Sequence, residues 1–285
     1  MISFVILHYQ AIDETIECVN KIFKYMNEAC KVIIVDNYSP NGTGEILKRK
    51  YKDETDIHVM LSDKNLGFAK GNNMGYREAK KDGPDYIVVM NNDVFLQDYN
   101  IEEKLDEAYS KYQFDILGPD IYSTQSKNHQ NPQRMSNFTL SELENERKKL
   151  EIKNKFSFLL KIKYLMKAGN RKKFTVKDFI DEDMVGAVLH GACYIFSKKY
   201  YQNHNNCFYE NTFMYYESYI LHYLAQREKL KLLYYPAIKV IHHEDIATDL
   251  TYKNMYEKSK FVNKCLLESC KEYIKIINSE EVRLD

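Results

Sequence analysis

In this chain, side chains able to do chemistry gather where apolar runs end. Tyr86 to Met90 reads as a buried strand and is followed by Asn91-Asn92-Asp93, two amides and a carboxylate. Open α/β sheets bind ligands beyond the carboxyl ends of their strands, so hard oxygen donors there suit a divalent cation and a diphosphate. Lys31 to Asp36 ends in the same way, in Asp36-Asn37-Tyr38-Ser39. A carboxylate at that point can accept hydrogen bonds from a base N–H or a ribose hydroxyl. Asn65-Leu66-Gly67-Phe68-Ala69-Lys70-Gly71-Asn72-Asn73 joins glycines, amides and Lys70 where a helical pattern begins. Backbone N–H groups at a helix start, with the lysine, offer a seat for a phosphate or a nucleotide edge. The order is neither that of a P-loop nor GxGxxG.

Three further clusters lie in the second half. His190-Gly191-Ala192-Cys193 sits in an apolar segment, where a glycine marks close approach of a ligand or of another stretch of backbone. Cys193 has no neighbouring base to activate it and reads as a core residue. Phe213-Met214-Tyr215-Tyr216-Glu217 sets one carboxylate behind four large side chains. Such surroundings raise a carboxyl pKa toward neutrality, as a general base needs. Val240-Ile241-His242-His243-Glu244-Asp245 ends an apolar run in two imidazoles and two carboxylates, a donor set compatible with Mn²⁺ and with Mg²⁺. Each cluster also has a plain structural reading, as a turn, a helix start favoured by the macrodipole, or a surface histidine pair.

The elements that must position these residues alternate. Ile2 to Tyr9 reads as a strand, and Asp13 as the cap of a helix whose apolar side is Ile16, Val19, Phe23 and Met26. Strands follow at 31–36, 57–61, 85–90 and 115–122, with helices at 44–51, 69–80 and 102–112 between them. This alternation implies βαβ units with a parallel sheet and right-handed crossovers. Beyond it, 123–136 is polar and turn-rich, 138–173 is helical and basic, and Val185 to Ser197 has strand character. A helix over 217–229, strands over 231–235 and 238–242, and a tail helix with Met255, Val262, Leu266, Tyr273 and Ile277 on one side complete the pattern.

Bulk properties exclude several classes. The chain has 285 residues, 41 Lys plus Arg and 41 Asp plus Glu, so it presents no global field for nucleic acid. Six cysteines without a CxxC pair argue against a zinc site or a disulfide framework and for a reducing compartment. The N-terminus begins directly in a strand pattern and no run of 18 apolar residues occurs. The expectation is a cytoplasmic protein, with at most surface contact on the inner face of the membrane.

Taken together and in order, VILHYQ, VDNYS, NLGFAKGNN, VVMNND, HGACYIF, FMYYESYIL and VIHHEDIAT resemble the family-two inverting glycosyltransferases of the GT-A fold, over residues 2 to 248. The resemblance implies an α/β fold with a mostly parallel nucleotide-binding sheet flanked by helices. It implies a transferase domain over 1–250, with a basic helical insertion at about 138–180, and a C-terminal helical tail over 251–285. By the same resemblance Asn91, Asn92 and Asp93 occupy the DxD-type motif, with Asp93 touching the ion. His242 completes the cation shell, and the cofactor is Mn²⁺ or Mg²⁺. Asp36 falls at the nucleotide base, while Asn65, Gly67, Lys70, Asn72 and Gly191 border the donor. Glu217 falls in the acidic motif that supplies the catalytic base. Many members carry two carboxylates there, whereas this chain has Glu217-Ser218.

The implied reaction moves a sugar from an NDP-sugar (UDP- or dTDP-) to a hydroxyl of a glycan or lipid-linked oligosaccharide in surface polysaccharide synthesis. The other reading is a non-catalytic nucleotide-sugar-binding partner subunit, suggested by the single Asp of NND and by Glu-Ser. A sugar nucleotidyltransferase would need a Gly-rich basic loop near residues 8 to 14, and HYQAIDE is not one. Between Arg147 and Lys173 eleven Lys or Arg residues and one acid alternate with apolar side chains. Such segments lie on anionic bilayers, and the plainer reading is a helical insertion packed on the core or on a second copy of the chain.

Overall fold

The computed structural model describes residues 1–157, 178–244 and 254–285. Four strands, β1 (Ile2–His8), β2 (Cys30–Asp36), β3 (Ile57–Leu61) and β4 (Tyr86–Asn91), pair in parallel in the order β3-β2-β1-β4. β1, β2 and β4 are buried almost throughout, which is why they read as continuous apolar runs instead of alternating ones. The sheet continues through β9 (Cys193–Ser197), antiparallel to both β4 and β6 (Ile116–Ser123). It ends with β10 (Leu232–His242), parallel to β6, and β5 (Val94–Leu96), antiparallel to β10. Two short strands, β7 (Asn128–His129) and β8 (Met184–Val185), attach to β6 and β10. The β1–β4 half is the parallel sheet that the alternation implies, and the reversal at β9 makes the other half mixed.

Helices cover both faces. α1 (Ile12–Tyr25), α2 (Thr43–Lys50) and α4 (Ile101–Tyr112) bury Cys18, Val19, Ile22, Leu47, Ile101 and Leu105 against Phe4, Ile6, Val32 and Val88. On the opposite face lie α3 (Gly67–Lys80), α5 (Leu140–Lys155), the Glu217–Arg227 helix and the C-terminal helix Met255–Ile277. These pack Ala69, Tyr76, Leu143, Ile220, Leu224 and Tyr273 against Val5, Val35, Val89 and Phe196. Removing that apolar surface from water supplies the main driving force for both layers.

Several local expectations are corrected. Asp13 lies in the first turn of α1 and not at its cap; Ala11 holds the cap position without a side-chain hydrogen bond. The strand expected over Val185 to Ser197 breaks after Val185, because Gly186 is left-handed at φ +86° and the chain crosses the sheet ends as a loop until Cys193. Val188 and Leu189 are fully buried in that loop by tertiary packing, which gave them the look of a strand. The two strands expected after Lys231 are one strand, β10, whose pairing with β6 slips between Tyr235 and Lys239. On the C-terminal helix Met255 is exposed, and Cys265, Ser269, Cys270 and Tyr273 form the buried side. Of the basic segment, α5 is described, and residues 158–173 lie outside the described residues, as do 245–248 of the last motif.

The topology brings the strand tips together. In register His8 stands opposite Asp36 and Leu7 opposite Asn91, so β1, β2 and β4 end at one edge. β9 enters from that edge, with the N–H of Asn91 donating to Ala192 O at 2.9 Å. His242 pairs with Val94, so the end of β10 meets the turn that follows β4.

Candidate active site

Asn91, Asn92, Asp93, Gly191, Glu217 and His242 line one cavity of about 710 Å³ beyond the carboxyl ends of β1 and β4, where the strand order reverses. Asp93 sits in the tight link between β4 and β5, 7% exposed, and its backbone carbonyl accepts the N–H of His243 at 3.0 Å. Its Oδ1 lies 3.3 Å from His242 Nε2 and has no hydrogen-bond partner among the described residues. The other imidazole nitrogen, Nδ1, is 2.7 Å from Gln130 Oε1. A carboxylate oxygen without a donor beside an imidazole nitrogen fits a divalent cation of the Mn²⁺ or Mg²⁺ kind. No group of three or more His, Cys, Asp or Glu able to hold a metal occurs among the described residues, so Asp93 and His242 are the pair of such side chains that the described cavity offers an ion. Asn92 is turned inward, its amide donating to Ala11 O at 3.2 Å and Thr15 Oγ1 at 3.0 Å, which ties the motif to α1.

On the β2 side the carboxylate and the amide after it divide the work. Asp36 is folded back under α2, accepting from Ser39 Oγ at 2.5 Å and lying where a Cβ on Gly44 would come within 2.2 Å of its Oδ2. Asn37, the next residue, lines the cavity. Its Oδ1 accepts the Leu66 N–H at 2.8 Å, and its amide donates to Asn65 Oδ1 and to Gly67 O, each at 3.2 Å. Asn65 also lines the cavity, whereas Asp36, Gly67, Lys70 and Asn72 do not. Lys70 is exposed on α3, and Asn72 is buried with its amide donating back to Phe68 O at 3.0 Å. Gly67 joins the two halves: at φ +78° its backbone lies so close to Phe213 that a Cβ would stand 2.3 Å from the Phe213 carbonyl. The Phe68 N–H donates to that same carbonyl at 2.7 Å.

Past Phe213 the chain takes two left-handed residues, Tyr215 (φ +74°) and Tyr216 (φ +68°), before Glu217 opens its helix. Non-glycine residues held in this region cost on the order of 1–3 kcal/mol each and persist where the surroundings fix them. Here Tyr216 packs on Phe138, Tyr219 and Tyr273. The turn leaves Glu217 7% exposed, with Oε1 lacking a hydrogen-bond partner among the described residues. Burial pushes its carboxyl up to about 7, against smaller lowering effects from the backbone at Glu217 and Tyr215 and from Thr212. A buried carboxylate with a free oxygen and a proton affinity near neutrality can take a proton from a hydroxyl. Ser218 supplies no second carboxylate, and its Oγ would stand 3.0 Å from a Cβ at Gly191, a tight contact.

The cavity lining is of two chemical kinds: amides with Asp93 and His242, and the apolar side chains of Phe138, Phe213, Met214, Tyr219, Phe261 and Leu266, the last two from the C-terminal helix. Sequence reasoning missed Asn37, Gln130, His190 and these apolar side chains as cavity residues. Asn37 was within reach, since it directly follows Asp36; the joining of Phe138, Phe261 and Leu266 to Phe213 and Met214 was not, because these residues come from three segments separated by some 40 to 75 residues.

The family model described as Glycosyl transferase family 2 matches residues 3–175. The chain is 26% identical over 118 residues to glycosyltransferase GlyG of Streptococcus pneumoniae serotype 4 (strain ATCC BAA-334 / TIGR4), a match covering 41% of this chain and 38% of that protein. Among solved structures it resembles S. aureus TarS 1-349 in complex with UDP-GlcNAc, at TM-score 0.53 and 12% identity, over 95% of this chain and 72% of that one. It also resembles GalNAc-T7 with UDP, GalNAc and Mn²⁺, at TM-score 0.54 and 11% identity, over 86% of this chain and 43% of that one. The chain therefore spans well under half the length of GlyG and of GalNAc-T7 in these matches.

Proposed function

The chain belongs to glycosyl transferase family 2, and on that premise we propose that it is an inverting glycosyltransferase that moves a sugar from an NDP-sugar to a hydroxyl of a carbohydrate acceptor. The observation that carries the reading is that Asp93, His242 and Glu217 line one cavity, although they lie 149 residues apart in sequence from first to last. TarS with UDP-GlcNAc and GalNAc-T7 with UDP support a uridine nucleotide in the donor, with dTDP as the near relative.

Asp93 and His242 would hold the divalent ion, Mn²⁺ or Mg²⁺, which when bound neutralises charge on the departing diphosphate. Asn65, held by Asn37 and the Gly67 N–H through its Oδ1, offers its amide N–H groups to the nucleotide side. Glu217 Oε1 accepts the proton of the acceptor hydroxyl, which raises the nucleophilicity of its oxygen. That oxygen attacks the anomeric carbon on the face opposite the leaving group, so the configuration inverts. Tyr216 and its aromatic neighbours keep water from the carboxylate and so maintain its basicity.

The aromatic lining of the cavity supports a glycan or lipid-linked oligosaccharide acceptor, because aromatic rings pack against the C–H faces of sugar rings. Surface polysaccharide synthesis is the setting that fits such an acceptor. No helix among the described residues is long and apolar enough to cross a membrane. We place the chain at the cytoplasmic membrane surface through residues 147–173, whose described part exposes Ile152 and Phe156 beside Lys153 and Lys155. Co-sedimentation with anionic vesicles that is lost at high salt is the expected result; absence from the pellet at low salt would refute docking.

The test of the main reading is release of NDP from a panel of UDP-, dTDP- and GDP-sugars in Mn²⁺, wild type against Glu217→Gln. Metal-dependent release by wild type alone is expected. Nucleotide binding without release, with every acceptor tried, would instead favour the non-catalytic partner subunit, a reading supported by Ser218 in place of a second carboxylate.

A further inference from the structure

A hydrogen-bond relay of fixed polarity ends on His242. It begins at an unambiguous donor, the backbone N–H of Ser126, which donates to Ser123 Oγ at 3.0 Å. The Ser123 hydroxyl proton is thereby directed away from that N–H, and it is donated to Glu244 Oε2. Glu244, the last described residue before 254, sits at φ +55° and offers its second oxygen, Oε1, to the side-chain amide of Gln130. A carboxylate only accepts, so it takes the NH₂ end of Gln130 and turns the amide oxygen the other way. That oxygen, Oε1, is the atom 2.7 Å from His242 Nδ1. An amide oxygen cannot donate, so Nδ1 must carry the hydrogen.

We propose that Gln130, oriented by Glu244 and Ser123, is a positioning residue that locks His242 in the Nδ1–H tautomer and aims the Nε2 lone pair at the space beside Asp93 Oδ1. The inference rests on reading Asp93 and His242 as the cation ligands. It explains why Oδ1 lies 3.3 Å from Nε2 and yet is left without a donor: two acceptors face each other, and a cation between them satisfies both. Were the ring held in the opposite tautomer, Nε2–H would donate to Asp93 and block metal binding. Partners of this type, which hold the far nitrogen of a metal-binding imidazole, fix ring orientation and raise ligand basicity. Gln130 reaches this position because β7 pairs with β6 just before it and its own N–H donates to Ile121 O at 2.8 Å.

The tautomer can be read in the metal-free chain by ¹⁵N NMR of the imidazoles at about pH 8, with His242 assigned by loss of its signals in His242→Gln. The expected result is an Nδ1–H ring in wild type and a mixture of tautomers in Gln130→Leu. The double exchange Gln130→Glu/Glu244→Gln should restore the Nδ1–H form, since it keeps an acceptor at Nδ1 and a donor between the two side chains. Mn²⁺ affinity in the presence of UDP should fall about 10–100-fold in Gln130→Leu and recover in the double exchange. An Nε2–H or doubly protonated ring in wild type, or the same tautomer in Gln130→Leu as in wild type, overturns the proposal. If the tautomers behave as expected but no variant, nor wild type, binds Mn²⁺ with UDP, the relay stands and the cation reading of the cavity fails.

Discussion

Glu217 shows how one side chain couples chemistry to stability. Its carboxyl is lifted by burial from 4.5 to about 7. As the proposed base it acts only when deprotonated, so kcat/KM for transfer should rise with pH and level off above about 7, and Glu217→Gln should lower it by about 10²–10⁴-fold on that plateau, with the gap narrowing as pH falls below 7. The stability effect has the opposite sense. Between pH 4.5 and about 7 the folded chain holds a proton that the unfolded chain has released, so stability falls as pH rises through that window. The Gln variant lacks this loss and should melt above wild type at pH 8, by up to about 3 kcal/mol, with the gap closing as pH falls toward 4.5. Thermal melts of both proteins across that range check it, and parallel curves would count against a buried, protonated Glu217.

At the scale of elements, the site depends on two loops held against each other at a single glycine. The start of α3 can dock on Phe213 only because Gly67 is left-handed and lacks a Cβ. Gly67→Ala meets both obstacles, a strained φ of +78° and a contact of 2.3 Å with a backbone carbonyl that cannot rotate away. We expect it to destabilise the fold by about 1–3 kcal/mol and to weaken nucleotide binding, because Asn37 and Asn65 are bonded to this same turn. Gly83→Ala is a fitting control: it also has positive φ, +62°, but its Cβ would meet nothing within 4 Å. Urea denaturation and isothermal titration with UDP measure both effects, and equal losses in the two variants would show that strain alone, and not the contact, is responsible.

At the scale of the whole molecule, the proposed cation site is assembled from distant parts and, as far as the described residues go, offers few ligands of its own. One carboxylate and one imidazole, Asp93 and His242, contribute a single negative charge and two ligand atoms, whereas a hard divalent ion seeks about six. Mn²⁺ should therefore bind weakly to the free chain and at least tenfold more tightly once a nucleoside diphosphate adds its oxygens. Titrating Mn²⁺ with and without UDP decides the matter; tight binding to the free chain would mean that ligands other than these two are present.

The sequence by itself determined the parallel half of the sheet and the strand tips that carry Asp36, Asn91, Asn92 and Asp93. Buried parallel strands are apolar throughout, and their polar ends stand out against that background. It also marked Glu217, because a lone acid behind Phe213, Met214, Tyr215 and Tyr216 is legible locally. Only the tertiary structure decided that Asn37 and not Asp36 faces the cavity, since that choice depends on Gly44 and Ser39 closing around the carboxylate. The same holds for the loop between Gly186 and Cys193, whose burial comes from packing across the sheet ends and not from a ladder. The polarity of the relay through Gln130 likewise required folding. Hydrogen-bond direction passes between Ser123, Gln130, His242 and Glu244, residues from separate segments, and no spacing along one chain encodes which nitrogen of His242 faces Asp93.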